Sequence, residues 1–253
     1  MGVALGELVG WWDDYLELAA IEDYPGALNG LQVEATRPVA RIGAATDACQ
    51  RTIDLAVEAS CEILLVHHGL FWGGVGPIVG PSYRRIATLI AADVALYSAH
   101  LPLDVHEEVG NNVLLAAALD LPVEGRFGSH GPVDGLGVLV EAELHRDELR
   151  ERVSRVTGTA VTMIPGGPER IQRLAIVTGG AGSMIAEACA AHADAFLTGE
   201  GSHHTYHEAR ELGINVFYAG HYATETFGVR ALAEHTADRY GIEHVFFDVP
   251  TGL

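Results

Sequence analysis

The chain has 253 residues, 49% of them hydrophobic, and 15 Lys and Arg against 34 Asp and Glu give a formal net charge of −19. At roughly 100–200 residues per domain this suits one large α/β domain or two small ones, and 30 Gly against 10 Pro points to frequent tight turns rather than disorder. The negative charge repels phosphate backbones and argues against nonspecific nucleic-acid binding. The sequence has no lysine, which excludes Schiff-base chemistry and a GxxxxGK[ST] phosphate loop and leaves anion recognition to arginine.

Residues 5–18 place Leu8, Trp11, Trp12, Tyr15 and Leu18 at helical spacing, the pattern of an amphipathic helix laid on a core. This segment carries Glu7, Asp13, Asp14 and Glu17 but no basic residue, which is wrong for a signal peptide. No stretch reaches the roughly 20 apolar residues of a membrane span, so a cytoplasmic location and no membrane partner are expected. Tyr24-Pro25-Gly26 and Asn29-Gly30 predict a turn, and Leu31-Gln32-Val33 begins extended structure.

From Arg41 an apolar run (42–45), a helical pattern (48–59) and a second apolar run (63–66) lead into a loop containing His67-His68. A glycine-rich loop (69–80), a helix (83–92) and a strand (94–99) ending at His100 follow, which is the syntax of largely parallel βαβ pairing. Residues 121–170 hold an apolar segment (136–140), a charged helix (146–156) and Gly/Pro turns, expected to cover the first half and to connect it onward. Cys49, Cys61 and Cys189 are widely spaced, odd in number and without a CxxC, so neither a disulfide framework nor a thiolate zinc finger is indicated.

An internal repeat emerges when Arg41-Ile-Gly-Ala-Ala-Thr46 is set against Arg173-Leu-Ala-Ile-Val-Thr178, an offset of 173 − 41 = 132. His67-His68 then faces Gly199-Glu200. The strands ending at His100 and His221 correspond at 221 − 100 = 121, which gives the first copy 132 − 121 = 11 more loop residues. The expected fold is α/β, two related halves with mixed, mostly parallel sheets: a first half over 1–125, a connector over 126–170 and a second half over 171–253.

Eight of the 13 histidines cluster near strand-to-helix loops: His67 and His68; His100 and His106; His203, His204 and His207; and His221. Ligands gather outside the carboxyl ends of strands in such sheets, and imidazole with carboxylate but no sulfur suits zinc, manganese, iron or nickel. Neighbouring strand residues point to opposite faces, so His67 and His68 would reach one site only through a turn, which Gly69 supports. His221 and Glu225 share one helical face if a helix starts after Gly220, and a glutamate can bridge two metals roughly 3.5–4 Å apart.

The segments Asn29-Gly-Leu-Gln-Val33, Val66-His-His-Gly69, His100-Leu-Pro-Leu-Asp-Val-His106 with Gly110-Asn-Asn112, Thr198-Gly-Glu200 and Ala219-Gly-His-Tyr-Ala-Thr-Glu225 resemble the NIF-three-like family. Its members are dinuclear-metal proteins often named GTP cyclohydrolase 1 type 2 homologues. The resemblance covers nearly the whole chain and implies a two-domain α/β fold, a ring-shaped homohexamer and two divalent metal ions per chain. It implies His68 and Asp104 as ligands of one metal, His67 and His221 as ligands of the other, and Glu225 as the bridge. His100 and His106 would support the ligands from behind or transfer protons. Glu200, at the repeat position of His68, reads as a catalytic acid or base or as a polar wall, while His203, His204 and His207 read as surface or substrate-facing.

The implied reaction is hydrolysis, with metal-activated water attacking the purine ring of GTP. The acidic, lysine-free chain would have to hold a triphosphate through metal and a few arginines, Arg84 and Arg85 among them. Phosphoesterase chemistry on a nucleotide or other small molecule fits the same ligands, and so does a noncatalytic hexameric scaffold, adaptor or metal-handling protein.

Overall fold

The computed structural model describes residues 2–24, 26–130 and 133–253; Pro25, within the turn expected after the first helix, lies outside them. In chain order the first elements are α1 (Leu5–Tyr15), β1 (Gly30–Val33), β2 (Arg41–Asp47), α2 (Gln50–Glu58), β3 (Ile63–His68), α3 (Gly80–Ala92), β4 (Ala95–Ser98), α4 (Leu101–Asp104) and α5 (Asn111–Ala118). There follow β5 (Val123–His130), β6 (Val133–His145), α6 (Arg146–Thr157), β7 (Thr162–Ile164), β8 (Arg170–Ile176), a 3-10 turn at Gly182–Met184, α7 (Ile185–Ala190), β9 (Ala195–Thr198) and α8 (Thr205–Leu212). The last are β10 (Asn215–Tyr218), α9 (His221–Thr224), α10 (Thr226–Tyr240) and β11 (Glu243–Phe246).

Two compact units divide the chain, Met1–Leu103 with Gly228–Val249, and Asp104–Phe227 with Pro250–Leu253. The first is built on a sheet of order β1-β4-β3-β2-β11, in which β2, β3, β4 and β11 run parallel and β1 pairs antiparallel to β4. Ala45, Leu64, Val66 and Leu96 of this sheet pack with Ile53 and Ala56 of α2 and Leu89 of α3. Strand alternation sends Tyr97 to the other face, where its ring lies 4.7 Å from that of Trp12. Trp12 in turn donates its indole N–H to Thr236 Oγ1 of α10 at 2.9 Å.

The second unit is a six-stranded mixed sheet of order β5-β6-β8-β9-β10-β7. Leu115 of α5, Leu119 just past its end, and Leu149 and Val153 of α6 bury one face against Val138, Val140, Leu174, Ile176, Leu197 and Phe217. Residues 126–170, expected as a connector, are structural here: β6 pairs with both β5 and β8, and β7 closes the far edge against β10. Only a five-residue apolar stretch of the 13-residue β6 is conspicuous in the sequence, because the rest alternates polar and apolar and finds its partner, β8, some 30 residues on. The boundaries expected at 125 and 170 therefore differ from those of the units. Likewise β11, near the C-terminus, pairs with β2 rather than joining the second sheet.

The repeat is visible in the ladders. Ile42 pairs with Ile63 and Leu174 with Ala195, and 174 − 42 and 195 − 63 both equal 132. For the next strands, Leu64 pairs with Leu96 and Phe196 with Val216, so the offset is 216 − 96 = 120 rather than the expected 121. Backbone register thus equates His221 with Leu101, the first residue of each short helix, and not with His100. Matching the two histidines by residue type slips the alignment by one.

Candidate metal centre

In the first unit, His67 and His68 are the last two residues of β3, not part of a loop as expected. No turn separates them, yet their ring centroids are 4.7 Å apart, and His100 lies 4.9 Å from His67 and 5.7 Å from His68. One ligand atom from each of the three imidazoles lies within 4.8 Å of the others, a grouping able to hold a metal ion. This places His100 with the histidine pair rather than outside it.

Each ring has its Nδ1 on an oxygen: His67 on the Ala99 carbonyl at 2.9 Å, His68 on Asp47 Oδ1 at 2.9 Å, and His100 on Asp23 Oδ1 at 3.0 Å. An oxygen acceptor fixes the Nδ1–H tautomer and leaves the lone pair on Nε2, the arrangement of metal-ligating histidines. Three imidazoles in this tautomer, with no thiolate among them, form a donor set suited to zinc and neighbouring divalent ions.

The Asn29-Gly-Leu-Gln-Val33 motif now has a physical role. Asn29 donates to Asp23 Oδ2 at 2.8 Å and accepts the His100 backbone N–H at 2.7 Å. Gln32 accepts the Leu70 N–H at 2.8 Å and donates to the Leu28 carbonyl at 3.0 Å, clamping the chain just past the histidine pair. A Cβ at Gly69 would sit 2.2 Å from Gln32 Nε2, so only glycine admits this clamp. Trp72 stands edge-on to His100 with centroids 4.7 Å apart. Burial opposes the Asp23 charge, but the His100 hydrogen bond and field, with Asn29 and Leu101, outweigh it and hold the carboxyl below its usual range. Asp23, Asp47 and Trp72 were missed from sequence; Asp47, a carboxylate closing a parallel strand beside the histidine pair, was the legible signal.

In the second unit, the turn expected after Gly220 is α9, and His221 Nε2 lies 3.1 Å from Glu225 Oε2. His221 Nδ1 lies 2.8 Å from Glu200 Oε1. Held between two carboxylates, with Glu225 the larger influence and burial opposing, His221 has its pKa raised to about 9. Glu225 is buried, and it has room because residue 179 is glycine: a Cβ there would lie 1.9 Å from Glu225 Oε1.

Asp104 is also buried, accepting from Asn111 Nδ2 at 2.8 Å, while Asn112 bonds the Asp104 carbonyl and accepts the Thr178 N–H at 2.8 Å. The Gly110-Asn-Asn112 motif therefore fixes Asp104. His106 Nδ1 accepts the Glu108 and Val109 backbone N–H groups, both at 3.1 Å, which leaves its proton on Nε2. His203, His204 and His207 are exposed at the start of α8. Arg84 is exposed, and Arg85 reaches the Ala48 carbonyl at 3.4 Å. Among the described residues no helix is long and apolar enough to cross a membrane.

Comparison with known proteins agrees with this architecture. A protein of Pseudomonas aeruginosa named GTP cyclohydrolase 1 type 2 homolog is 46% identical over 253 residues, 99% of either chain. Its namesake in Deinococcus radiodurans is 44% identical over 248 residues, covering 98% of this chain and 94% of that protein. Among solved structures, the protein ybgI, of unknown function, superposes with a TM-score of 0.92 at 38% identity, covering 99% of this chain and 100% of that one. TTHA1606 from Thermus thermophilus gives 0.90 at 42% identity, with the same coverage. The profile of the Duf34/NIF3 (NGG1p interacting factor 3) family matches residues 3–252, and the chain belongs to that family.

Proposed function

We propose that the protein is a dinuclear-metal hydrolase in which His67, His68, Asp104, His221 and Glu225 hold two divalent ions of the zinc, iron, manganese or nickel type. The observation that carries this reading is the donor chemistry: imidazoles, His67 buried and His68 and His221 partly so, whose Nδ1 atoms are already engaged by oxygens, and a buried carboxylate, Asp104, held by an amide. Such an ion pair, when bound, supplies Lewis acidity and activates water near neutral pH. Five protein ligands shared between two ions leave coordination positions for water and substrate, which a closed structural site lacks.

The chain's own residues do the remaining work. Proton transfer is assigned in this reading to His106 and to His100, which Asp23 orients and which lies beside the His67–His68 pair, where it could also supply a further ligand. Glu200, half exposed, orients His221 and is the acid or base of the proposed reaction. The names of the relatives suggest the purine ring of GTP as the substrate, opened hydrolytically with release of formate. Assembly is proposed to be a homohexamer, which light scattering would show as six chains.

The test is metal content and metal-dependent formate release from GTP, beside Glu225→Ala. About two ions per chain and formate release, both lost in the variant, support the cyclohydrolase reading. Loaded protein that instead cleaves phosphoesters supports a phosphoesterase. Loaded protein inert to both refutes hydrolysis and favours a scaffold or metal-handling role.

A further inference from the structure

We propose that Asp47 is the positioning residue for His68, a carboxylate that fixes the tautomer and aim of that ligand and strengthens its hold on a divalent cation; this rests on the metal-binding reading above. Asp47 closes β2 directly opposite His68 in the parallel ladder, so backbone register rather than a mobile side chain sets their separation. The Asp47 carbonyl accepts Thr52 Oγ1–H at 2.7 Å and the Cys49 N–H at 3.1 Å, and the Ala48 N–H reaches the His68 carbonyl at 2.8 Å. The carboxylate is thus mounted on a backbone tied to both α2 and β3. Its Oδ1 takes the Nδ1–H of His68 at 2.9 Å, and the imidazole must then present Nε2.

The adjacent ligand is supported differently. His67 Nδ1 meets the neutral carbonyl of Ala99, whereas His68 Nδ1 meets an anion. A carboxylate acceptor makes the imidazole more electron-rich than a carbonyl does, and such outer partners are worth about 10–100-fold in metal affinity. The repeat sharpens the assignment. At the offset of 132, Asp47 corresponds to Gly179. In the second unit that position is empty of side chain to admit Glu225, and the orienting carboxylate comes from Glu200 instead. One strand-end position has therefore been used in two ways, to carry a carboxylate that orients a ligand and to make room for a ligand.

The experiment measures zinc affinity by chelator competition, the visible spectrum of the cobalt-loaded protein, and thermal stability, for the parent and for Asp47→Asn, Asp47→Ala and Asp54→Asn. Asp54, on α2, bonds Gln50 and serves as the charge control. The expected result is affinity about 10–100-fold weaker in Asp47→Ala, a smaller loss in Asp47→Asn, whose amide oxygen still accepts Nδ1–H, and a changed cobalt spectrum in both. Asp54→Asn should match the parent. A purely structural role would lower thermal stability and leave the spectrum and affinity of the folded fraction alone, overturning the proposal. Parent and variants of equal affinity overturn it while leaving the metal reading intact; a parent that binds no divalent ion overturns both.

Discussion

On the metal-binding reading proposed above, replacing Gly179 by alanine should weaken metal binding while leaving the protein folded. The added Cβ would lie 1.9 Å from Glu225 Oε1, 2.9 Å from its Cδ and 3.3 Å from His221 Nε2. Reaching even 3.0 Å demands a retreat of 3.0 − 1.9 = 1.1 Å by a carboxylate that is only 3% exposed, several times the roughly 0.2 Å tolerance of a metal–ligand distance. Gly179 also has a φ of +70°, which costs an L-residue about 1–2 kcal/mol. The neighbouring Gly180 supplies the control, since its Cβ would meet His221 Cε1 at 3.4 Å and Glu200 Oε1 at 3.6 Å, ordinary contacts at a φ outside the left-handed region. Zinc affinity by chelator competition should fall at least tenfold in Gly179→Ala, with a modest loss of stability, and stay near the parent value in Gly180→Ala. Equal affinities in parent and Gly179→Ala, or equal losses in both variants, would refute the reasoning.

Asp23→Asn removes the charge that receives His100 Nδ1, the Leu101 N–H and Asn29; chemical denaturation should show about 1.5–3 kcal/mol less stability, the scale of a hydrogen bond to a charged group. Trp12→Phe leaves Thr236 without its indole donor and opens space beside Tyr97, so a loss of about 1–3 kcal/mol is expected. Cys61, in the turn from α2 to β3, is fully buried, and desolvation pushes its thiol up to about 12 from 9.0. A group raised in the folded state contributes stability below its unfolded pKa and loses it as pH rises toward the folded one. Stability should therefore decline between about pH 9 and 12, and Cys61 should resist alkylation in native protein at pH 8 while reacting freely in denaturant; Cys61→Ala should flatten the decline.

Local pattern in the sequence determined the elements that show as a helical period or as an unbroken apolar run. The period of Leu8, Trp12 and Tyr15 in α1, the apolar runs of β2, β3 and β4, and the charged helix α6 are all short-range signals, and each lies close to its expected place. The repeat and the imidazole-carboxylate inventory were legible for the same reason, because residue type and spacing carry them. Tertiary structure alone decided what pairs over distance. β11 lies beside β2 across about 200 residues of chain, and β6 is locked between β5 and β8, because strand partners are chosen by sheet closure and not by local propensity. It also decided that His67 and His68 share a site without a turn, that His100 joins them, and that Asp23 and Asp47 orient two of the three rings. Hydrogen-bond direction is set by where strand ends come to rest, and that depends on ladder register, which the one-residue difference between 121 and 120 shows a match of residue types cannot supply.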